Sequence, residues 1–195
     1  MQNDLIAQMR NYAEEYNVPI MVDEGINFVR NYIARNDVKS ILEIGTAIGY
    51  SAILMAMVRP DIQITTIERD EKRYLEAIKN IKKANMQDRI HLIYKDALEV
   101  ELEEQYDLLF IDAAKAQNIK FFERFEKNLR PFGTVITDNM SFHGLVNQDE
   151  EQIESRNVRQ LVRKVKDYKT FLEQNQAFRT EFLEIGDGIA VSIKK

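Results

Sequence analysis

The sequence predicts a single α/β domain built on a mostly parallel seven-stranded sheet, with helices on both faces and an antiparallel hairpin at the C-terminus. Three observations lead there. Apolar runs of strand length alternate with amphipathic stretches of helical spacing through the middle of the chain, the pattern of a parallel sheet wrapped by helices. The first run, Ile41 to Ile44, ends at Gly45, and a second glycine, Gly49, precedes small and apolar residues that read as a helix start. Near the end, EFLEI and IAVSI flank Gly186-Asp187-Gly188, which reads as a hairpin turn carried by its two glycines.

Each element follows from local pattern. Leu5, Ile6, Met9, Tyr12, Ala13 and Tyr16 recur at helical spacing, with Pro19 expected to stop the helix. A second helix is expected over 24–34, capped by Asp23. These two helices, residues 1–36, present apolar positions that either a dimer contact or burial within the monomer would cover. The core, 39–138, reads as strand 41–45, helix 49–58, strand 62–68, helix 71–85, strands 90–95 and 107–112, helix 117–129 and strand 133–138. A loop with an acidic run over 140–154, a long helix over 155–174 and the terminal hairpin, 178–195, complete the domain. No linker, repeat or low-complexity stretch divides the 195 residues, of which 45% are hydrophobic and 30% charged.

Composition excludes several classes of function. No apolar run approaches the ~20 residues of a membrane span, and the polar, mixed-charge N-terminus is not a secretory signal. The chain has no cysteine, so disulfides, thiolate metal sites and a cysteine nucleophile are excluded, and a cytoplasmic location fits. A formal charge of −5 argues against a generally basic coat for nucleic acid and gives no sign of a DNA partner, while leaving room for a local patch.

Ligand chemistry is expected at the carboxyl ends of the strands. The turn after Ile44, with Gly45 and Ala47, has neither the three glycines of a dinucleotide fingerprint nor the Gly-Lys of a phosphate loop, so no pyrophosphate cradle is written here. Instead Glu43 lies just before the turn, where a carboxylate accepts hydrogen bonds from a cationic group. Glu68, at the end of the second strand, is placed to take ribose hydroxyls. A positively charged nucleoside, S-adenosylmethionine, fits this pair best. Asp96-Ala97, after the third strand, would either meet the adenine or simply cap a short helix.

Two later strand ends carry Asp112, in DAAK, and Asp138-Asn139. Singly, each residue is more often a cap or a turn residue. Together they offer two carboxylates and an amide oxygen from neighbouring strands, a hard-oxygen set that suits Mg²⁺ and leaves positions for two vicinal substrate oxygens. Lys115, three residues after Asp112, is close enough to share the site. A bound cation and partial burial would favour its neutral amine as a general base.

In this order and spacing, ILEIGTAIGYS, IERDEK, IDAAK, TDN and GDGIA resemble the Mg²⁺-dependent O-methyltransferases related to the catechol and caffeoyl-coenzyme A enzymes, over nearly the whole chain. The resemblance implies a class I, Rossmann-like methyltransferase fold with S-adenosyl-L-methionine and Mg²⁺ as cofactors. It implies Asp112, Asp138 and Asn139 as metal ligands, with Asp112 also bordering the cofactor. Lys115 would be the base, Glu68 the ribose contact and Ser51 the contact to the methionine part. YAEEYNVPIM, DAAKAQ and the Phe-x-Gly-Leu-Val stretch after ITDN are similar to the bacterial tRNA 5-hydroxyuridine methyltransferases, which implies Met21 in the cofactor pocket and a tRNA anticodon as partner. Ala113 and Ala114 depart from the catechol enzymes, which carry bulkier residues there. Arg156, Arg159, Arg163 and Lys166 recur at spacings of three and four, one stripe that either grips phosphates or is a solvated face. His143 and Phe142, in the preceding loop, are candidate base contacts, whereas His91 reads as structural.

Overall fold

A computed structural model describes residues 2–142, 144–147, 153 and 155–195. Its centre is one seven-stranded sheet: β1 Ser40–Ile44, β2 Gln63–Glu68, β3 Ile90–Tyr94, β4 Tyr106–Ile111, β5 Leu129–Asp138, β6 Phe178–Leu183 and β7 Ile189–Lys194. The spatial order is β3-β2-β1-β4-β5-β7-β6, with the first five strands parallel and β7 antiparallel to both neighbours. The strand order therefore reverses between β1 and β4, and the carboxyl ends there diverge into a crevice.

Both faces of the sheet are covered, which is why its strands read as continuous apolar runs rather than alternating ones. Ile41, Leu108, Phe110 and Ile136 face one side and pack with α1 Gln2–Glu15, α2 Asp23–Arg35, α3 Tyr50–Ala56 and α4 Glu71–Lys83. Leu42, Ile44, Leu109, Ile111 and Val135 face the other and pack with α5 Asn118–Phe125 and α6 Arg156–Gln174. The Tyr168 hydroxyl on α6 meets Thr137 Oγ1 at 2.8 Å, pinning that helix beneath β5.

Several boundaries differ from the sequence expectation for physical reasons. Pro19 does not stop α1: the chain leaves the helix at Asn17, in the left-handed region at φ 51°, and Val18 N–H returns to the Ala13 carbonyl at 2.8 Å. Asp23 is not the cap of α2. Val22 is, without a side-chain bond, and Asp23 opens the helix, where its carboxylate pairs with Arg10 at 2.5 Å and favours the helix dipole. The helix expected over 117–129 is shorter and flanked by 3-10 turns at Lys115–Gln117 and Glu126–Asn128. β5 starts earlier, because an irregular register against β4 takes up the residues around Pro131. Of the apolar positions on the first two helices, Leu5, Met9, Ala13, Ile26, Val29 and Ile33 are buried within the monomer, while Tyr16 remains exposed.

Gly45 is the residue on which the crevice depends. Its φ is +99°, and a Cβ there would lie 2.1 Å from the Asp112 carbonyl oxygen. Only a residue without a side chain lets β1 and β4 run together at their ends, where Asp112 N–H donates to the Ile44 carbonyl at 3.0 Å. Gly45→Ala is expected to destabilise the fold by at least ~2 kcal/mol, through backbone strain and the displaced Asp112 strand end. Urea unfolding measures it, and an unchanged midpoint would contradict the close approach.

Candidate active site

A cleft of about 350 Å³ opens at the carboxyl ends of the parallel strands. Its cofactor side is built from backbone groups that a left-handed turn directs inward. Ala47 has φ 46°, and its N–H donates to Glu68 Oε2 at 2.8 Å. Glu68 Oε1 accepts from Arg69 N–H at 2.9 Å and Asp70 N–H at 2.8 Å. Three backbone donors thus fix this carboxylate on the cleft wall, and Oε2 keeps an acceptor position for a ligand hydroxyl. Asp96 caps the short turn at Ala97–Glu99, accepting from Leu98 N–H at 2.9 Å, and it also lines the cleft beside Ala97. That backbone bond, with Arg69 behind it, holds the Asp96 carboxyl below its usual range. Met21 also lines the cleft, held against Gly25, where a Cβ would lie 2.8 Å from the Met21 Cε.

Glu43 is placed differently from the expectation. It is fully buried beneath the cleft floor and does not line it. Its Oε1 accepts from Ser51 Oγ and its Oε2 from Thr66 Oγ1, each at 2.5 Å, and Thr66 in turn meets Thr46 Oγ1 at 2.6 Å. Thr46 and Ser51 are the groups that reach the cleft. With its proton given to Glu43, Ser51 offers a ligand only lone pairs, which suits an ammonium group. Glu43 therefore acts on a ligand through Ser51 and Thr46.

Burial raises the Glu43 carboxyl to about 7, against the hydrogen bonds from Ser51 and Thr66 that favour its ionised form. A raised folded value means that the protein releases this proton less readily than the unfolded chain. The stabilisation is complete below the unfolded value of 4.5 and is lost as pH rises through about 7. Glu43→Gln should therefore gain stability relative to wild type between pH 5 and 8, up to ~3 kcal/mol, in thermal melts of the cofactor-free protein. A pH-independent difference would show that Glu43 is ionised throughout.

The other side of the cleft brings together Asp112, Asp138, Asn139 and Lys115. Lys115 Nζ lies 3.4 Å from Asp112 Oδ1, with the lysine side chain 14% and the aspartate 23% exposed. Asn139 holds φ 69°, a left-handed conformation that asparagine tolerates. Asp138 Oδ1 and Asn139 Oδ1 are buried without a hydrogen-bond partner among the described residues. Burial first, then the neighbouring Asp112 carboxylate, push the Asp138 carboxyl upward. Two hard oxygens without partners beside a carboxylate pair fit a divalent cation, which would satisfy both and relieve the repulsion.

The terminal hairpin fixes this ligand segment, a role that no local pattern discloses. Met140 N–H and Ser141 N–H donate to the carbonyls of Gly188 and Asp187 at 2.9 and 2.7 Å. Gly188 takes φ +83°, where a Cβ would sit 2.7 Å from Ser141 N, and Gly186 presses on Val22. The Gly-Asp-Gly turn is thus wedged between the Met21 segment and the Asp138 strand end, and it delivers Asp187 to the cleft. Tyr50, Arg73 and Asp187 also line the cleft; Tyr50 and Asp187 fall within the glycine turns singled out in the sequence without being distinguished there, and Arg73 falls outside them. They reach the cleft from the start of α3, the first turn of α4 and the hairpin turn, three segments that meet only in the folded chain.

Among the predicted substrate residues, Arg156 is exposed on the first turn of α6, and Arg159 Nη1 donates to the Ile153 carbonyl. Arg163 is exposed on the same helix, and the helix touches the Lys115–Gln117 turn. His143 lies outside the described residues. His91 is exposed on the edge strand β3.

A doubly wound sheet closed by an antiparallel pair, with an anchored acid at the end of β2 and its cleft at the β1–β4 reversal, defines a class I, S-adenosylmethionine-dependent methyltransferase. Within that class the chain belongs to the O-methyltransferase family, whose model matches residues 2–195. It is 25% identical to the caffeoyl-CoA O-methyltransferase of Populus kitakamiensis over 193 residues, 95% of this chain and 82% of the relative. A crystal structure from Staphylococcus aureus, provisionally assigned as a caffeoyl-CoA O-methyltransferase, is 44% identical and superposes with a TM-score of 0.92, covering 97% of this chain and 92% of that one. An O-methyltransferase from Bacillus cereus, solved with SAH, is 25% identical with a TM-score of 0.84, covering 98% and 91%. Among the described residues no helix is long and apolar enough to cross a membrane.

Proposed function

We propose that this enzyme is a Mg²⁺-assisted O-methyltransferase whose acceptor presents two vicinal oxygens, and that the acceptor is 5-hydroxyuridine at the tRNA wobble position. The observation that carries the metal reading is the buried, unpartnered oxygen pair of Asp138 and Asn139 beside Asp112. Asp112, Asp138 and Asn139 would hold the divalent ion, whose charge would favour ionisation of the acceptor hydroxyl. Lys115, on the turn after Asp112, takes that proton on Nζ. The oxyanion then attacks the methyl carbon in line; the carbon–sulfur bond breaks, and its electron pair returns to sulfur to leave S-adenosylhomocysteine. Glu68 and Ser51 orient the two ends of the cofactor, and the rate gain is chiefly positional.

5-Hydroxyuridine offers O5 and the adjacent O4 as the vicinal pair. The small Ala113 and Ala114 leave space for a nucleobase with its attached backbone, and the cations at the start of α6 suit phosphates flanking it. Such a substrate places the enzyme in the cytoplasm. The caffeoyl-CoA relatives favour a second reading, a small phenolic acceptor with the same oxygen pair.

Nucleoside mass spectrometry of tRNA from a strain lacking the gene tests the choice. Accumulated 5-hydroxyuridine with loss of 5-methoxyuridine is expected, and an unchanged profile transfers the assignment to the small phenol. In vitro, tRNA methylation should weaken steeply with salt, and Arg156→Gln should lower that slope by roughly 0.7–0.9 for each phosphate it no longer neutralises. A phenol would show no such dependence.

A further inference from the structure

The adenosyl end of the cleft carries a charge that its cofactor does not require. Arg69 follows β2, Arg73 stands in the first turn of α4 and Lys95 follows β3, and all three line the cleft. Lys95 N–H donates to the Glu68 carbonyl at 3.0 Å, which locks the two strand ends together and sets these cations around one mouth. Arg73 and Lys95 make no side-chain ion pair among the described residues. Arg69 reaches Asp96 at 3.0 Å but stays 58% exposed. Four acids stand near them, and three are held by other groups: Glu68 by the N–H groups of Ala47, Arg69 and Asp70, Asp96 by Leu98 N–H and Arg69, and Asp70 by Arg73 N–H at 3.0 Å as the cap of α4, while Glu71 is exposed in the first turn of that helix.

S-adenosylmethionine has no phosphate, and it is itself cationic at sulfur and at its amino group. Three cations beside its nucleoside therefore offer it no charge complementarity. We propose that Arg69, Arg73 and Lys95 form a phosphate-binding rim, which holds the phosphate-bearing part of the acceptor across the adenosyl end while its hydroxyl lies at Asp112 and Asp138.

From β3 to β5 the sheet order spans four strand spacings, about 19 Å. That is the length of roughly five to six stacked nucleotides. The phosphates belong either to an RNA strand or to the pyrophosphate of a coenzyme A thioester. The inference rests on reading the cleft as the methyl-transfer site, but its test measures binding and needs no turnover.

Equilibrium binding of a synthetic anticodon stem-loop and of coenzyme A, each to the SAH-loaded protein, provides that test. For whichever probe supplies the phosphates, the Arg73→Gln/Lys95→Gln double variant should weaken binding about tenfold at low salt. For RNA it should also lower the salt slope by roughly 1.4–1.8, the share of two neutralised phosphates. Arg73→Lys/Lys95→Arg, which keeps the charge, should retain the affinity. Weakening for the stem-loop alone identifies RNA as the source, and weakening for coenzyme A alone identifies the thioester. Unchanged binding of both probes, or a weakening confined to SAH with both probes unaffected, overturns the rim. Failure of methyl transfer to either acceptor would instead overturn the functional reading and leave the binding result standing.

Discussion

Asp138→Ala is expected to reduce methyl transfer at saturating acceptor by roughly 10³-fold or more, and to weaken Mg²⁺ titration of the remaining activity. A metal that stabilises developing negative charge contributes several kcal/mol, and each ~1.4 kcal/mol is tenfold in rate. The substitution removes a buried carboxylate whose Oδ1 has no partner among the described residues and leaves Asn139 Oδ1 equally unpartnered. Because Asp138 also carries a raised carboxyl value from burial and from Asp112, the cofactor-free protein should tolerate its removal better than the active enzyme does. Asp138→Asn provides the shape-conserving control: it keeps the strand end and its pairing with β7 but supplies a weaker ligand. Initial rates against Mg²⁺ concentration, with S-adenosylmethionine affinity measured by calorimetry, separate loss of metal from loss of fold. Full activity of the wild type in excess chelator would refute the metal role outright.

Lys115→Ala should lower kcat by ~10²–10⁴, the usual contribution of a positioned general base, with cofactor affinity little changed. The lysine sits on the 3-10 turn directly after the Asp112 strand end, and α6 packs against that turn. Its position is therefore set by a strand end and a helix rather than by a free loop. The deficit should shrink as pH rises, since an acceptor that ionises by itself no longer needs the base. Lys115→Arg should not rescue, because a guanidinium stays protonated at any pH the protein tolerates. A rate at saturating acceptor that equals wild type across the pH range would remove Lys115 from the mechanism.

The parts of the site readable in the sequence share a physical property: each is decided within a few residues of chain. Gly45 announces itself because a strand running into a sharp turn excludes a side chain there. Glu68, Asp96 and Asp112 follow apolar runs, and a parallel sheet gathers such strand ends on one edge whatever the details of packing. Asp96 shows the limit of this kind of reading, since capping and meeting a ligand read as alternatives, whereas a carboxylate that caps the turn also lines the cleft. Pro19 and Asp23 show another. They have the strongest local preference for ending and capping a helix, whereas the chain leaves α1 at Asn17 and enters α2 at Val22.

What the chain determines by itself is the alternation that makes a doubly wound sheet, the turn that opens it, and the set of hard oxygens and one amine carried to its edge. Tertiary structure decided which of these groups reach the cleft. Glu43 and Glu68 both stand at strand ends, yet Glu43 is sealed beneath the floor by Ser51 and Thr66, while Glu68 is held on the wall by three backbone N–H groups. Likewise the Gly-Asp-Gly turn reads as a hairpin but serves as the wedge that sets Asp138 and Asn139 and brings Asp187 into the cleft. Local patterns fix backbone conformation through short-range sterics. Burial and partnership depend on residues far apart in the chain, which meet only once the sheet has closed.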